Sequence, residues 1–172
     1  MVSTPCADSA APTIRLYRPD DRACLCDLAV GVFAEASLDC AVEREFGPLN
    51  GTDWRGRKHE DIADDLDGNP TGCFVAELDG HVVGFITTVV DAATSVGRIP
   101  NLAVASGHQG RGIGRLLMDA ALNHFETLGL LYSQIETLAT NERGLQFYPS
   151  LGYREVARKV YYVMDLADRR KR

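Results

Sequence analysis

Asn101-Leu102-Ala103-Val104-Ala105-Ser106-Gly107-His108-Gln109-Gly110-Arg111-Gly112-Ile113-Gly114 joins two different hydrophobic patterns. Gly97 to Val104 reads as a strand, whereas Ile113, Leu117, Ala121, Phe125 and Leu128 recur at the spacing of a long amphipathic helix. The glycines therefore sit at a strand-to-helix junction. Glycine lets the backbone turn tightly and approach a ligand with no Cβ in the way. The first helical turn adds unpaired N–H groups that suit an anion such as a pyrophosphate. The helix dipole contributes only about 0.3–1 kcal/mol per favourable charge. Most affinity must then come from several converging N–H groups and from Arg111 or Arg115.

Other chemistries use similar runs. A nucleotide P-loop ends in Lys and Ser or Thr, but Gly114 is followed by Arg115 and Leu116. A Rossmann site reads G-x-G-x-x-G at the start of a parallel unit, whereas this run is G-x-G-x-G and follows strands that read as a meander. Glu136 nevertheless lies near the distance of that motif's ribose-binding acid, so the dinucleotide reading stays open. A glycine-rich turn with no ligand also stays open on these residues alone.

Upstream, Cys73 to Leu78 and His81 to Val90 are strand-like runs joined by Asp79-Gly80, a strong hairpin signal. Thr13 to Tyr17 predicts a first strand, and Asp20 or Asp21 can cap a helix whose buried face is Leu25, Leu28, Ala29, Val32 and Phe33. Gly47, Pro48, Asn50 and Gly51 mark a loop, followed by a helix from Trp54 to Leu66 that Gly68, Asn69 and Pro70 stop. Downstream, Leu131 to Leu138 predicts a strand and Thr140 or Asn141 starts a short helix. Two final strands are expected at Tyr153 to Ala157 and Val160 to Leu166.

With 172 residues, 45% hydrophobic and 24% charged, the chain has the size of one domain, expected over residues 13–167 between a loose tail at 1–12 and a basic tail at 168–172. No apolar run approaches the roughly 20 residues of a membrane span, and the start lacks a secretory pattern. No membrane partner and a cytoplasmic address are expected. Eighteen Lys and Arg against 24 Asp and Glu leave a net charge of −6, which disfavours nucleic acid. Cys6, Cys24, Cys26, Cys40 and Cys73 lack paired zinc or redox spacing, so reduced packing thiols and no metal are expected.

Asn101-Leu102-Ala103-Val104 and Gln109 to Gly114, together with Asn141, Phe147, Tyr148, Gly152 and Tyr153, resemble the two signatures of the GNAT superfamily of acyl-CoA-dependent acetyltransferases. The resemblance covers roughly residues 72–166. It implies an α/β (α+β) fold whose mixed, mostly antiparallel central sheet is splayed in the middle and flanked by helices. It further implies that acetyl-CoA is the acyl donor. Leu102 and Val104, with Ala103 between them, would meet the pantetheine arm. Gln109, Gly110, Arg111, Gly112, Ile113, Gly114 and Arg115 would hold the pyrophosphate. Asn141 would contact the pantetheine end, and Tyr148 would protonate the departing thiolate, an effect typically of about 10²–10⁴-fold. Apart from the motif, Tyr148 also fits a core aromatic spaced with Leu145 and Leu151.

The sequence departs from the family pattern in three places. Gly144 stands where Ala is usual, and Pro149 predicts an end or bend of the helix at Tyr148. Val96 to Ala105 carries no Asp or Glu, so Glu136 is the first candidate for the general base, ahead of Asp91 and Glu35, with a water chain as the alternative. The expected reaction is direct attack of a neutral amine on the thioester, with a backbone N–H such as that of Val104 holding the oxyanion. The acceptor, a small amine, an amino acid or a protein amine, would bind against Glu35 to Asp67, the loop near Asp91 and the final strands. Glu60, Asp61, Asp64, Asp65 and Asp67 read as a solvated helix face that would also draw a cationic amine, whereas Arg98 would suit a carboxylate. A non-catalytic acyl-CoA sensor, a nucleotide-binding module and self-association into a homodimer remain open alternatives.

Overall fold

Asp79 and Gly80 both take positive φ, 51° and 77°, as a two-residue type I′ hairpin loop requires, and Leu78 pairs with His81 across it. This loop joins β2 (Phe74–Leu78) to β3 (His81–Asp91), as the sequence predicts. In the computed structural model, which describes residues 11–34 and 37–170, the sheet runs in the order β1-β2-β3-β4-β5. Here β1 is Thr13–Leu16, β4 is Val96–Val104 and β5 is Tyr132–Ile135. The first three pairings are antiparallel and β4–β5 is parallel. A parallel neighbour needs a crossover, and α4 (Ile113–Thr127) supplies it.

Strand alternation sends side chains to two different layers. Val75, Phe85 and Ala103 pack under Leu25, Cys26 and Ala29 of α1 (Arg22–Phe33) and Ile62 and Leu66 of α3 (Trp54–Gly68). Ala76, Ile86 and Ile99 face the other way, onto Ile113, Leu117, Met118, Ala121 and Phe125 of α4. Each of the buried Val, Leu, Ile, Phe and Met side chains is worth about 1.5–3 kcal/mol, so α4 is anchored firmly and carries the glycine loop at its N-terminus with it. Gly97 marks the crossing, because a Cβ there would lie 2.5 Å from the Phe125 ring.

Several expectations are corrected. Residues before the Gly47 loop form α2 (Leu38–Phe46), ended by Gly47 at φ 78°. Asp21 makes no capping bond to α1. Its carboxylate instead accepts from Arg15 at 2.7 and 2.8 Å and from the Arg18 N–H at 2.8 Å. The Arg15 guanidinium holds it below the usual carboxylate range. Pro149 does not end α5 (Glu142–Ser150), which continues one residue beyond it; the proline sits in the last turn, where little ladder remains to break. The two final strands do not form. Residues 153–165 are irregular and lead into α6 (Leu166–Arg169). Alternation reports a side-chain pattern, but a strand also needs a ladder partner, and β5 pairs only with β4 among the described residues. Val156, Val160, Tyr162 and Met164 remain exposed. Glu35 and Cys6 lie outside the described residues.

Candidate active site

The sheet opens at Pro100. Thr87 pairs with Asn101 and Val89 with Arg98, so Ile99 and Pro100 together face Thr88 in a bulge. Pro100 has no N–H for a ladder on either side, which is why strand prolines collect at bulges. The last β4–β5 pair is Ile99 with Ile135. Beyond it, β4 continues to Val104 without β5.

The direction of the backbone groups on this free stretch follows from the antiparallel ladder. The Ala105 N–H donates to the Val83 carbonyl, and hydrogen-bonded and non-bonded pairs alternate along such a ladder. Ala103 and Asn101 therefore bond to β3, whereas Leu102 and Val104 aim N–H and C=O away from it, toward the gap left by β5. The Val104 carbonyl confirms the direction: it accepts from Gln109 Nε2 at 2.8 Å. Leu102 and Val104 thus present a strand edge, the one the family resemblance implies, while Ala103 does not.

Immediately after this edge, Gly110 and Gly112 take φ of 77° and 81°, with open space where a Cβ would stand. Only glycine adopts such angles without strain. Gly112 is the N-cap of α4 and has no side chain with which to cap it, so the Ile113 and Gly114 N–H groups keep no intrahelical partner, whereas the Arg115 N–H donates to the Gly112 carbonyl at 3.0 Å. Ile113 is buried and fixes the helix start in the core. The Arg111 side chain is exposed and makes no ion pair among the described residues. Arg115 instead reaches Ser150 of α5. Both ends of the Gln109 amide are engaged, with Val104 and with Arg143, so its side chain braces the loop. Open space, two N–H groups without intrahelical partners and an unpaired Arg111 fit a pyrophosphate.

On α5, Asn141 caps the helix by accepting from the Gly144 N–H at 3.1 Å, and its amide donates to Thr137 at 2.9 Å. This accounts for Gly144, since a Cβ would lie 2.8 Å from both Asn141 and Thr137. Phe147 of α5 and Leu151, its C-cap residue, pack on the α4 layer. Tyr148 is not among them, which argues against a plain core aromatic. Its ring lies edge-on to Phe147 and Tyr153, and its hydroxyl has no hydrogen-bond partner among the described residues. Burial pushes the phenol up to about 12. Glu136 follows the end of β5 and pairs with Lys159 at 2.6 Å. Asp91 instead accepts from Thr94 and pairs with Arg98 at 3.5 Å.

Sequence reasoning missed a further group. On the α1/α3 face, beside Pro100, a cavity of about 300 Å³ is lined by Lys58, Asp61, Asp64, Asp65 and Asn101. Asp65 alone of the acidic run turns inward: its Oδ2 accepts from Thr87 Oγ1 and from Asn101 Nδ2, both at 2.7 Å. Lys58 Nζ donates to Asn101 Oδ1 at 2.8 Å. Burial pushes the Asp65 carboxyl up. Asp67 pairs with Arg22, and Asp61 with Lys58 at the surface. The four residues of this network come from segments too far apart in sequence for any local motif.

A splayed strand edge followed by a glycine-lined helix start is the geometry that the family resemblance implies for an acyl-CoA site. Residues 40–153 match the family described as Acetyltransferase (GNAT) family, and the chain belongs to that family. It is 36% identical over 109 residues to mycothiol acetyltransferase of Streptomyces avermitilis, a match covering 63% of this chain and 34% of the relative. The chain thus spans about a third of the length of that relative. Among solved structures, Ard1 from Thermoplasma volcanium superposes with a TM-score of 0.65 at 25% identity, over 86% of each chain. PaiA N-acetyltransferase from Thermoplasma acidophilum, solved in complex with coenzyme A, gives 0.67 at 18% identity, over 83% of this chain and 89% of that one. No helix among the described residues is long and apolar enough to cross a membrane.

Proposed function

We propose that this chain transfers an acetyl group from acetyl-CoA to an amine by direct attack. The observation that carries this reading is the alignment of the Leu102 and Val104 edge with the glycine loop, one directly behind the other along the chain. Pyrophosphate on the loop would put the pantetheine along β4, passing Val104 before Leu102. That order supports Leu102 rather than Val104 as the N–H that holds the thioester oxyanion. Glu136 accepts a proton from the acceptor ammonium, directly or through water. The neutral amine forms the C–N bond, the C–S bond breaks, the proton shed by the new amide nitrogen passes to water, and Tyr148 donates a hydrogen bond to the sulfur, which leaves as the thiolate. The cavity beside Pro100, with three carboxylates to one ammonium, supports a cationic acceptor approaching from the α1/α3 side.

The test is ligand stabilisation combined with turnover. At 100 times its dissociation constant, acetyl-CoA should stabilise the protein by about 2.7 kcal/mol, and acetyl-pantetheine, which lacks the pyrophosphate, should do much less. A panel of monoamines, polyamines, amino acids and peptide N-termini, read by CoA release, then identifies the acceptor. Binding with no turnover on any amine would favour a sensor. Equal stabilisation by both thioesters would remove the pyrophosphate site.

Two glycine variants separate the loop's conformation from its contact surface. Gly112→Val strains a positive φ in the free protein as well as obstructing the ligand. At Gly114 a Cβ would stand at an ordinary 3.5 Å from Phe147, and Ala is the better helix former by about 0.8–1.0 kcal/mol. Gly114→Ala should therefore keep or raise the melting temperature of the free protein while weakening acetyl-CoA binding, measured by calorimetry. Unchanged affinity would place the phosphates elsewhere.

A further inference from the structure

The bulge that opens the sheet is held from one side by α3 and by the turn that follows it, where the Gly72 carbonyl accepts from Thr88 Oγ1 at 2.7 Å. Asn69, the C-cap residue of α3, donates to both the carbonyl and the hydroxyl of Thr88 at 3.2 and 2.9 Å. Lys58 and Asp65, two turns apart on the same helix, grip Asn101 from opposite ends of its amide. Asp65 also takes the Thr87 hydroxyl, so the first residue pair beyond the bulge is tied to α3 on both strands. The polarity of this chain allows one arrangement only. Turning the Asn101 amide over would set its NH₂ against the Lys58 ammonium and its oxygen against the Asp65 carboxylate. Asn101 is itself only 6% exposed, so no water shell would repair either mismatch.

Asn101 shares a peptide unit with the Leu102 N–H. In a trans peptide the Asn101 carbonyl and the Leu102 N–H point in opposite directions, the first to β3 and the second to the gap. Any rotation of Asn101 therefore re-aims that N–H. On the bulge side the ladder offers no support, since Pro100 donates nothing. We infer that Asp65 is a positioning residue for acyl transfer: through Asn101 and Thr87 it fixes the direction of the Leu102 N–H at the point where the thioester carbonyl must lie. This rests on the functional reading above. It assigns a role to α3 that neither the glycine loop nor α5 supplies.

The experiment compares Asp65→Asn, Thr87→Val and Thr87→Ser with the wild type in three readouts. These are the single-turnover rate of acetyl transfer, acetyl-CoA affinity, and the infrared carbonyl stretch of bound acetyl-CoA isotope-labelled at the thioester. Asp65→Asn exchanges the charged oxygen that accepts both bonds for a neutral amide oxygen and so weakens both, and Thr87→Val removes one donor with little change of shape. Both should slow transfer about 10- to 100-fold, the scale of a misplacement near 1 Å, with affinity within about threefold of wild type. The downward shift of the carbonyl stretch on binding should shrink in parallel. Thr87→Ser, which keeps the hydroxyl, should retain both the rate and the shift. If Asp65→Asn does not fold, Thr87→Val and Thr87→Ser carry the comparison. Wild-type rate and carbonyl shift in folded Thr87→Val would overturn the inference, as would equal losses of rate, affinity and melting temperature. A wild-type protein that binds no acetyl-CoA would instead overturn the functional reading, and this inference with it.

Discussion

Tyr148→Phe should reduce acetyl transfer by about 10- to 150-fold while leaving acetyl-CoA affinity nearly unchanged. The substitution deletes one hydroxyl and keeps the ring against Phe147 and Tyr153. The size follows from the phenol being pushed up to about 12. A group that weakly acidic does not hand its proton fully to a thiolate whose own pKa is near 8.5. It steadies the sulfur by a hydrogen bond to a charged acceptor, worth about 1.5–3 kcal/mol. The loss should fall on kcat in single-turnover experiments. The raised value also fixes a pH sign. The phenol donates only while protonated, so its contribution persists through pH 10, where an ordinary tyrosine would begin to lose it. An alkaline fall in rate centred near 10 that disappears in the Phe variant would contradict this environment. A wild-type rate in the variant would end the assignment.

Glu136→Gln should have the largest effect at neutral pH, about 10²- to 10⁴-fold if Glu136 takes the proton from the acceptor ammonium. The defect should shrink as pH rises toward the acceptor's own pKa, because solvent then supplies the neutral amine. Lys159, bound to Glu136 Oε1 at 2.6 Å, gives an internal control. Lys159→Met frees the carboxylate without removing it, so it should impair transfer far less than Glu136→Gln does. A Gln variant with a parallel, pH-independent loss would assign Glu136 to holding residues 153–165 in place through Lys159.

The features that sequence made legible are those decided by local chemistry. Asp79-Gly80 announced its hairpin because the turn itself demands two positive φ angles, and Gly110 and Gly112 announced a turn for the same reason. The long period of Ile113, Leu117, Ala121 and Phe125 survived as α4 because all four side chains are buried on one layer. Illegible features depend on partners distant in sequence. The alternation of Val160 to Leu166 suggested a strand, yet no ladder partner meets it. Asp65 looked like its four acidic neighbours, and only the placement of α3 over Thr87 and Asn101 distinguishes it. Pro100 stands on the strand before the loop. Its consequence, the end of β4–β5 pairing, needed the register.

Cys26 on α1 and Cys73 at the head of β2 lie on opposite sides of the seam between the α1/α3 layer and the sheet, 4% and 1% exposed. Cys73 donates to the Asn69 carbonyl at 3.2 Å, and burial pushes its thiol up to about 11. Thiolate-selective reagents need both access and ionisation. In the folded protein they should reach Cys24, which is exposed, and leave the other two untouched. Cys26 and Cys73 are therefore natural gauges of how often this layer lifts from the sheet, since they label only during local opening. Asp65 and Asn69, on α3, belong to the same layer as Cys26, so the labelling rate reports on the support beneath Asn101 without any engineered probe.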